Sequence, residues 1–480
     1  MNFITLPSAS PADDWVQPLV NALNIPTDQV KYFVNCLIGP FLMFALRYLP
    51  NNPTLKHIVY GGLGFLASYL LFGLEVFTVL YTSLPVYFIM KYNKTSKASM
   101  LCFVIVFGYL LVRNIYLYFT QYLVWSLDFT ATHMVITLKL TAFAFSVTNG
   151  QKDKNITAYL DQHKITNYPN ILEYLGFVYF YPGMFSGPSL EYRDYISFID
   201  MSRFAENNFK LPNIPVFNFL KHYLGGTFLL LFYAFINSNP PPSPEYHIEK
   251  HPEESGLLFK LFTIWISCSI LRLKYYGTWK LTECMGEVSA CGYSGKDKDG
   301  KDLFLLYKNV SIMKFETSKS CKVNMDVWNT YVQHWLKNYV YVSFIGTPVE
   351  KFKTDLTMFT CAVYHGVYPG YYISFLILGF DKDVSNLIYK RLDPYMKEKF
   401  GEKSVTFIVY DVLVRIWNHW HLNYTIYPFT RFEFFPSLKV FARTYFLGIV
   451  SPLIVYVWLK YFPPGKKQVK KDVKEDKKNE

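Results

Sequence analysis

Long stretches without a formal charge alternate with short polar connections along most of the chain. A helix that spans a membrane needs about 20 mainly apolar residues, because the hydrocarbon layer is about 30 Å thick. Several stretches reach that length only with flanking residues whose long side chains extend to the interface. The stretches are 32–46, 58–74, 76–90, 98–112, 114–127, 174–190, 223–244, 261–271, 356–380 and 444–459. The pattern predicts about 8–11 membrane-spanning helices, some of them short or tilted.

The fold class follows from backbone hydrogen bonding. A lipid-exposed strand edge or loop would leave peptide groups unpaired, so the spanning segments are expected to be helices. We therefore predict an all-α polytopic membrane protein, with short interfacial helices in polar connections such as 277–327. The predicted organisation is a polar N-terminal segment (1–31), one membrane-embedded domain (32–462) and a lysine-rich cytosolic tail (463–480).

Composition supports a membrane protein and favours anionic lipid over nucleic acid as its charged partner. Of 480 residues, 51% are hydrophobic, 19% aromatic and only 18% charged. A large soluble helical protein would have to bury all of the charge-free stretches, which this composition disfavours. The net charge is +12. Its basic residues lie in short loops and the tail, which is typical of a cytosolic face beside anionic lipid and does not predict nucleic-acid binding.

The C-terminal tail matches the pattern of a targeting signal. Lys477 and Lys478 are fourth and third from the end, which is the dilysine retrieval pattern of endoplasmic reticulum membrane proteins. Lysine enrichment beyond the last apolar stretch separately predicts a cytosolic C-terminus. The alternative is a solvated charged tail without a targeting role. We predict a multi-pass protein of the endoplasmic reticulum membrane.

His365 is the first candidate for chemistry, because it lies within the charge-free stretch 356–380. Burial there favours a neutral imidazole, which can act as a general base. The alternative is a structural histidine bonded to a backbone carbonyl. Gly366, Pro369 and Gly370 follow it and are expected to interrupt the helix. An interrupted helix at this depth must face protein or a cavity, which predicts a substrate chamber.

Two further clusters contain candidate site residues. Asn329 follows Trp328 at the start of an aromatic helix expected to run to about residue 344. Its amide can stabilise an oxyanion or orient a hydroxyl, and the alternative is a helix N-cap. Arg272, Lys274, Tyr275 and Tyr276 form a basic-aromatic cluster at the end of an apolar stretch. They are candidates for binding anionic groups or, alternatively, for anchoring the helix at the interface.

Several ordered motifs carry a family resemblance. They are His-Gly-x-x-Pro-Gly-Tyr-x-x-x-Phe (365–375), Arg-x-Lys-Tyr-Tyr (272–276), Trp-Asn-x-x-x-x-x-Trp-Leu-Lys (328–337), and Gly-Pro-Ser (187–189) with Glu-Tyr-Arg-Asp-Tyr (191–195). Together they resemble the lysophospholipid acyltransferase branch of the membrane-bound O-acyltransferase family, over about residues 170–377. The family usually has Trp before the histidine, where this chain has Tyr364 and so keeps an aromatic wall.

The resemblance implies the reaction and its participants. An acyl group is transferred from acyl-CoA, a co-substrate, to a lysophospholipid hydroxyl, expected to be at sn-2, with His365 and Asn329 at the reaction centre. Arg272 and Lys274 are expected to meet phosphates of CoA or of the headgroup. No cofactor and no metal are expected; the other partners are membrane lipids. The remaining predicted substrate-site residues are Tyr275, Tyr276, Trp328, Trp335, Tyr364, Tyr368, Pro369, Gly370 and Tyr371.

Two alternative functions stay open at the sequence level. The same machinery could acylate a sterol, a diacylglycerol or a protein. A transporter or channel would instead contain internal symmetry and several intramembrane acids. Glu75 and Arg113 are the main formal charges within apolar stretches. The sequence predicts neither the headgroup and acyl-chain preference nor the oligomeric state.

Overall fold

The computed structural model describes residues 4–23, 25–124, 127–152, 156–185 and 187–464. The lysine-rich end, including Lys477 and Lys478, lies outside the described residues. Within them the chain is almost entirely helical, as the apolar pattern predicts.

The α-helices begin and end as follows, in chain order. They are α1 (Ala12–Leu23), α2 (Thr27–Leu46), α3 (Pro53–Phe72), α4 (Leu80–Tyr92), α5 (Ser96–Thr120), α6 (Thr130–Asn149), α7 (Ala158–His163), α8 (Ile171–Val178), α9 (Tyr192–Ile199), α10 (Val216–Ser238), α11 (Leu257–Ser289), α12 (Ile312–Glu316), α13 (Cys321–Val327), α14 (Thr330–Trp335), α15 (Lys353–His365), α16 (Pro369–Leu387), α17 (Asp393–Phe400), α18 (Val405–Arg431), α19 (Phe434–Arg443) and α20 (Leu447–Tyr461). A two-stranded antiparallel hairpin pairs β1 (Gly295–Lys296) with β2 (Asp302–Leu303).

Tighter and wider helical turns join or extend these helices. The 3₁₀ segments are Gly73–Val79, Tyr181–Gly183, Ser202–Asn207, Pro252–Glu254, Val342–Phe344 and Glu350–Phe352. The π-helical segments are Glu245–Lys250, Leu336–Tyr341 and Ile388–Leu392. The segments after α14 extend its helical path to Phe344, where the sequence predicts the end of the aromatic helix.

Five helical segments of the described chain are long and apolar enough to cross a membrane, or six if the bent pair α19–α20 counts as one span. They are Thr27–Leu46, Pro53–Tyr92, Ser96–Thr120, Thr130–Asn149 and Val216–Ser238. This confirms a polytopic all-α protein. The predicted total of about 8–11 spans requires shorter or more polar helices such as α16 and α18 to cross as well, and that total stays a prediction.

Local sequence explains where several helices begin. The side chains of Asn52, Thr95 and Ser404 accept hydrogen bonds from backbone N–H groups in the first turns of α3, α5 and α18. Such caps pair donors that have no partner inside the helix. These three helices therefore start at fixed points in the chain.

The structure corrects one prediction about the polar connections. Residues 277–289, expected to begin the longest connection, instead continue α11, which is 33 residues long. The charges on this extension are paired: Lys280 Nζ lies 2.6 Å from Glu283 Oε2, and His222 Nδ1 lies 2.9 Å from Glu287 Oε1. Because one pair lies within α11 and the other joins α11 to α10, the charges do not end the helix. The rest of the connection contains the hairpin and the short helices α12 and α13.

The two charges noted within apolar stretches bind each other. Arg113 Nη1 lies 2.8 Å from Glu75 Oε2, and both side chains are at least 95% buried. A buried charge is tolerated when it is paired and hydrogen-bonded. This pair therefore has a structural explanation and does not by itself indicate an ion pathway.

Candidate active site

The helix break predicted after His365 is present. His365 is the last residue of α15, and Pro369 is the first residue of α16. Gly366 has φ +125°, a conformation that a residue with a side chain rarely adopts. At Gly370 the backbone N–H donates to Phe432 O at 2.8 Å, and a Cβ would collide with the Pro428 carbonyl. The glycines and proline thus form the break and let the end of α18 approach it.

The His365 ring lies among aromatic side chains. It stacks on Phe375 with the ring centroids 5.2 Å apart and meets Phe429 edge-on at 5.0 Å, while Tyr371 lies 5.8 Å away. Among the described residues, none hydrogen-bonds to the His365 ring, so the alternative of a carbonyl-bonded histidine has no support there. The aromatic rings hold the imidazole by packing. Its nitrogens are therefore not committed to a described protein partner.

His365 and Asn329 both line a single cavity of about 420 Å³. That volume is within the range of small-molecule sites, and the lining is mainly apolar. Of the other predicted site residues, Lys274, Tyr275 and Tyr364 also line it. The remaining lining residues are Ile25, Gln29, Val30, Tyr32, Phe33, Phe72, Leu127, Asp128, Ala131, Thr132, Met134, Val135, Leu138, Phe185, Gly187, Leu230, Leu231, Tyr233, Ala234, Thr278, Trp279, Tyr331, Val332 and Phe429.

Asn329 occupies the N-cap position of α14, but its side chain makes no capping hydrogen bond. Its backbone is left-handed, with φ 45° and ψ 59°. Asparagine adopts this conformation more readily than most residues, and such conformations are frequent at functional sites. The amide is therefore available to the cavity rather than to the helix.

The basic-aromatic cluster on α11 divides between two environments. Lys274 and Tyr275 line the cavity. Arg272 instead donates from Nε and Nη2 to the two carboxylate oxygens of Glu316, each at 2.9 Å. The Tyr276 hydroxyl donates to the same carboxylate at 2.5 Å. The structure thus places Arg272 and Tyr276 outside the described cavity lining, and their predicted contact with substrate stays a prediction.

Six other predicted residues also lie outside the described lining, and two of them, Pro369 and Gly370, belong to the helix break described above. Trp328 packs between Trp279 and Phe315, with ring centroids 4.9 and 5.0 Å away. The Tyr368 hydroxyl accepts from the backbone N–H of Leu123 at 2.9 Å. Trp335 donates to Thr141 Oγ1 at 3.0 Å, and Tyr371 packs on Phe429 at 4.8 Å, one residue shell from the cavity.

Sequence reasoning missed several residues that the fold brings to the cavity. Phe429 contacts the His365 ring but comes 64 positions later in the chain, and no local signal links the two. Asp128 ends the charge-free stretch 114–127, and that position is the only signal that could have indicated it. Thr132 and Trp279 carry no distinguishing pattern. Phe429, Thr132 and Trp279 are therefore recognisable only from tertiary packing.

One group of potential metal ligands occurs among the described residues. His251, Glu253 and Glu254 have ligand atoms within 4.8 Å of one another. None of the three lines the cavity. The expectation that the reaction centre uses no metal or cofactor stays a prediction.

Comparison with known proteins adds independent information. A model of the membrane-bound O-acyltransferase family matches residues 114–399. The chain is 30% identical over 477 residues to "Membrane-bound glycerophospholipid O-acyltransferase 2" of Gallus gallus, covering 94% of this chain and 89% of that protein. It is 28% identical over 445 residues to "Lysophospholipid acyltransferase" of Schizosaccharomyces pombe, covering 90% of this chain and 86% of that protein.

Proposed function

The chain belongs to the membrane-bound O-acyltransferase family and acts as a lysophospholipid acyltransferase, and we propose that it takes its acyl group from acyl-CoA at a reaction centre formed by His365 and Asn329. The observation that carries this proposal is that both side chains line one cavity. The relatives are named for phospholipid substrates, which supports a lysophospholipid acceptor over a sterol, diacylglycerol or protein.

The proposed reaction begins with neutral His365. Its imidazole accepts the proton of the free hydroxyl, expected at sn-2, while the hydroxyl oxygen attacks the thioester carbonyl of acyl-CoA. Asn329 orients that hydroxyl or donates to the tetrahedral oxyanion. The C–S bond then breaks, CoA leaves as the thiolate, and the imidazolium returns the proton to it. The new bond is the ester of the diacyl phospholipid.

The cavity suits an amphiphilic acceptor. Its aromatic and aliphatic walls provide an apolar environment for acyl chains, and rigid rings lose little entropy on binding. Lys274 provides a cation for a phosphate group. We further propose an endoplasmic reticulum location with a cytosolic C-terminus, for which the support is the dilysine sequence and the basic tail.

The test is acyl transfer in microsomes from labelled acyl-CoA to a panel of lysophospholipids. General base catalysis contributes about 10²–10⁴-fold, so His365→Ala is expected to lose that much activity. Phe359→Ala, on the exposed side of α15, is the matched control and should retain activity. A correctly folded His365→Ala protein with wild-type rate would remove the histidine from the mechanism. Wild-type protein inactive on every lysophospholipid would contradict the function itself.

A further inference from the structure

The cavity carries two opposite formal charges on different walls. Among its described lining residues, only Asp128 and Lys274 have side chains with a formal charge at neutral pH. Asp128 lies just before α6, and Lys274 lies in α11. All other described lining residues are apolar or neutral polar. A ligand that places a charge of each sign in this space therefore finds a partner for each.

The Asp128 end of the cavity has more negative than positive charge. Asp128 Oδ2 lies 3.7 Å from Arg113 Nη2, but that guanidinium also contacts both carboxylate oxygens of Glu75 at 2.8 and 3.3 Å. One arginine thus serves two carboxylates. Thr130 adds two hydrogen bonds to Asp128, from its backbone N–H at 3.1 Å and its hydroxyl at 2.6 Å. These bonds fix the carboxylate in place without neutralising it.

Thr132 supplies a second, independent observation at this end. Its side chain is fully buried and lines the cavity, yet its Oγ1 has no hydrogen-bond partner among the described residues. An unpaired buried hydroxyl is unfavourable, which favours occupancy by a ligand or water that pairs with it. Thr132 lies in the first turn of α6, four residues after Asp128, and both residues line the same cavity.

We propose that the acceptor lysophospholipid has a zwitterionic headgroup, with its ammonium at Asp128 and its phosphate at Lys274. This inference rests on the proposed acyltransferase function and specifies the acceptor of that same site. Choline and ethanolamine headgroups carry an ammonium beside the phosphate, whereas inositol and glycerol headgroups carry only the phosphate. Asp128 therefore discriminates between the two classes, and Lys274 contacts a group common to both.

The test compares purified full-length wild-type protein with Asp128→Asn. Acyl transfer is measured to lysophosphatidylcholine, lysophosphatidylethanolamine, lysophosphatidylinositol and lysophosphatidylglycerol. Asparagine removes the charge and keeps one of the two oxygen acceptors that Thr130 uses. We expect kcat/KM for the two ammonium-bearing acceptors to fall about tenfold relative to the two others, as the loss of one charge-assisted contact implies. The ratio is measured within one preparation, so partial unfolding cancels from it.

Asp28→Asn is the matched control. The Asp28 carboxylate accepts from the backbone N–H of Leu127 at 2.6 Å but is not among the described lining residues. Its loss is expected to leave the headgroup ratio unchanged. An active Asp128→Asn protein with the wild-type ratio would overturn the headgroup assignment and leave the acyltransferase function standing. Wild-type protein that acylates none of the four acceptors would instead refute the function.

Discussion

The two faces of helix α11 carry similar residues but differ in what those residues contact. Arg272 and Tyr276 bind the Glu316 carboxylate, while Lys274 and Tyr275 line the cavity. Residues four apart share a helix face and residues two apart do not, so a compact motif is divided between two surroundings. We expect the cation held by the Glu316 carboxylate to stabilise the fold, and we propose that the cation at the cavity contacts a substrate.

The prediction with the largest expected effect concerns stability, and it tests the difference between the two faces of α11. Arg272→Met leaves the Glu316 carboxylate without its guanidinium. Breaking a buried ion pair from one side costs about 3–5 kcal/mol. The lower value is expected here because Glu316 is partly exposed and because His419 and Tyr276 still contact it. We therefore expect a clear fall in the thermal unfolding midpoint in detergent. The KM for acyl-CoA of the folded protein should stay within about twofold of wild type.

Arg272→Lys is the matched variant, since it keeps the charge but cannot contact both carboxylate oxygens. It should recover part of the lost stability. If Arg272→Met folds normally and raises KM for acyl-CoA, the Arg272 face takes part in substrate binding and the contrast between the faces disappears.

Local chemistry made some of this site predictable. The interruption after His365 follows from the sequence because glycine and proline act on their own backbone, and the position of Asn329 at a helix start follows from the pattern around it. The faces of α11 were not predictable because Glu316 lies 44 residues after Arg272. Likewise, Glu287, which lies in the extension of α11 to Ser289, has its partner on another helix, His222 on α10.

Substitution of Asn329 tests whether a residue that lines the cavity stabilises the transition state. Loss of one donor to an oxyanion costs about 10²–10³-fold in kcat, and we expect Asn329→Ala to fall in that range with acyl-CoA KM little changed. Asn329→Gly is the matched variant because glycine adopts the left-handed backbone without strain. Both variants should lose activity if the amide is required. Wild-type kcat in Asn329→Gly would show that only the backbone conformation matters.

The prediction with the smallest expected effect concerns the face of α11 that lines the cavity. Lys274→Met removes one cation from the cavity while keeping a long side chain, and we expect KM for each lysophospholipid to rise about tenfold, the lower end of one hydrogen bond to a charged group. Because every acceptor carries the phosphate, the rise should be similar for all headgroups. Lys260→Met removes the same charge from α11 away from the described lining and should leave KM unchanged. A rise in KM for acyl-CoA alone would assign Lys274 to the donor rather than to the acceptor, and the cavity face of α11 would then bind CoA.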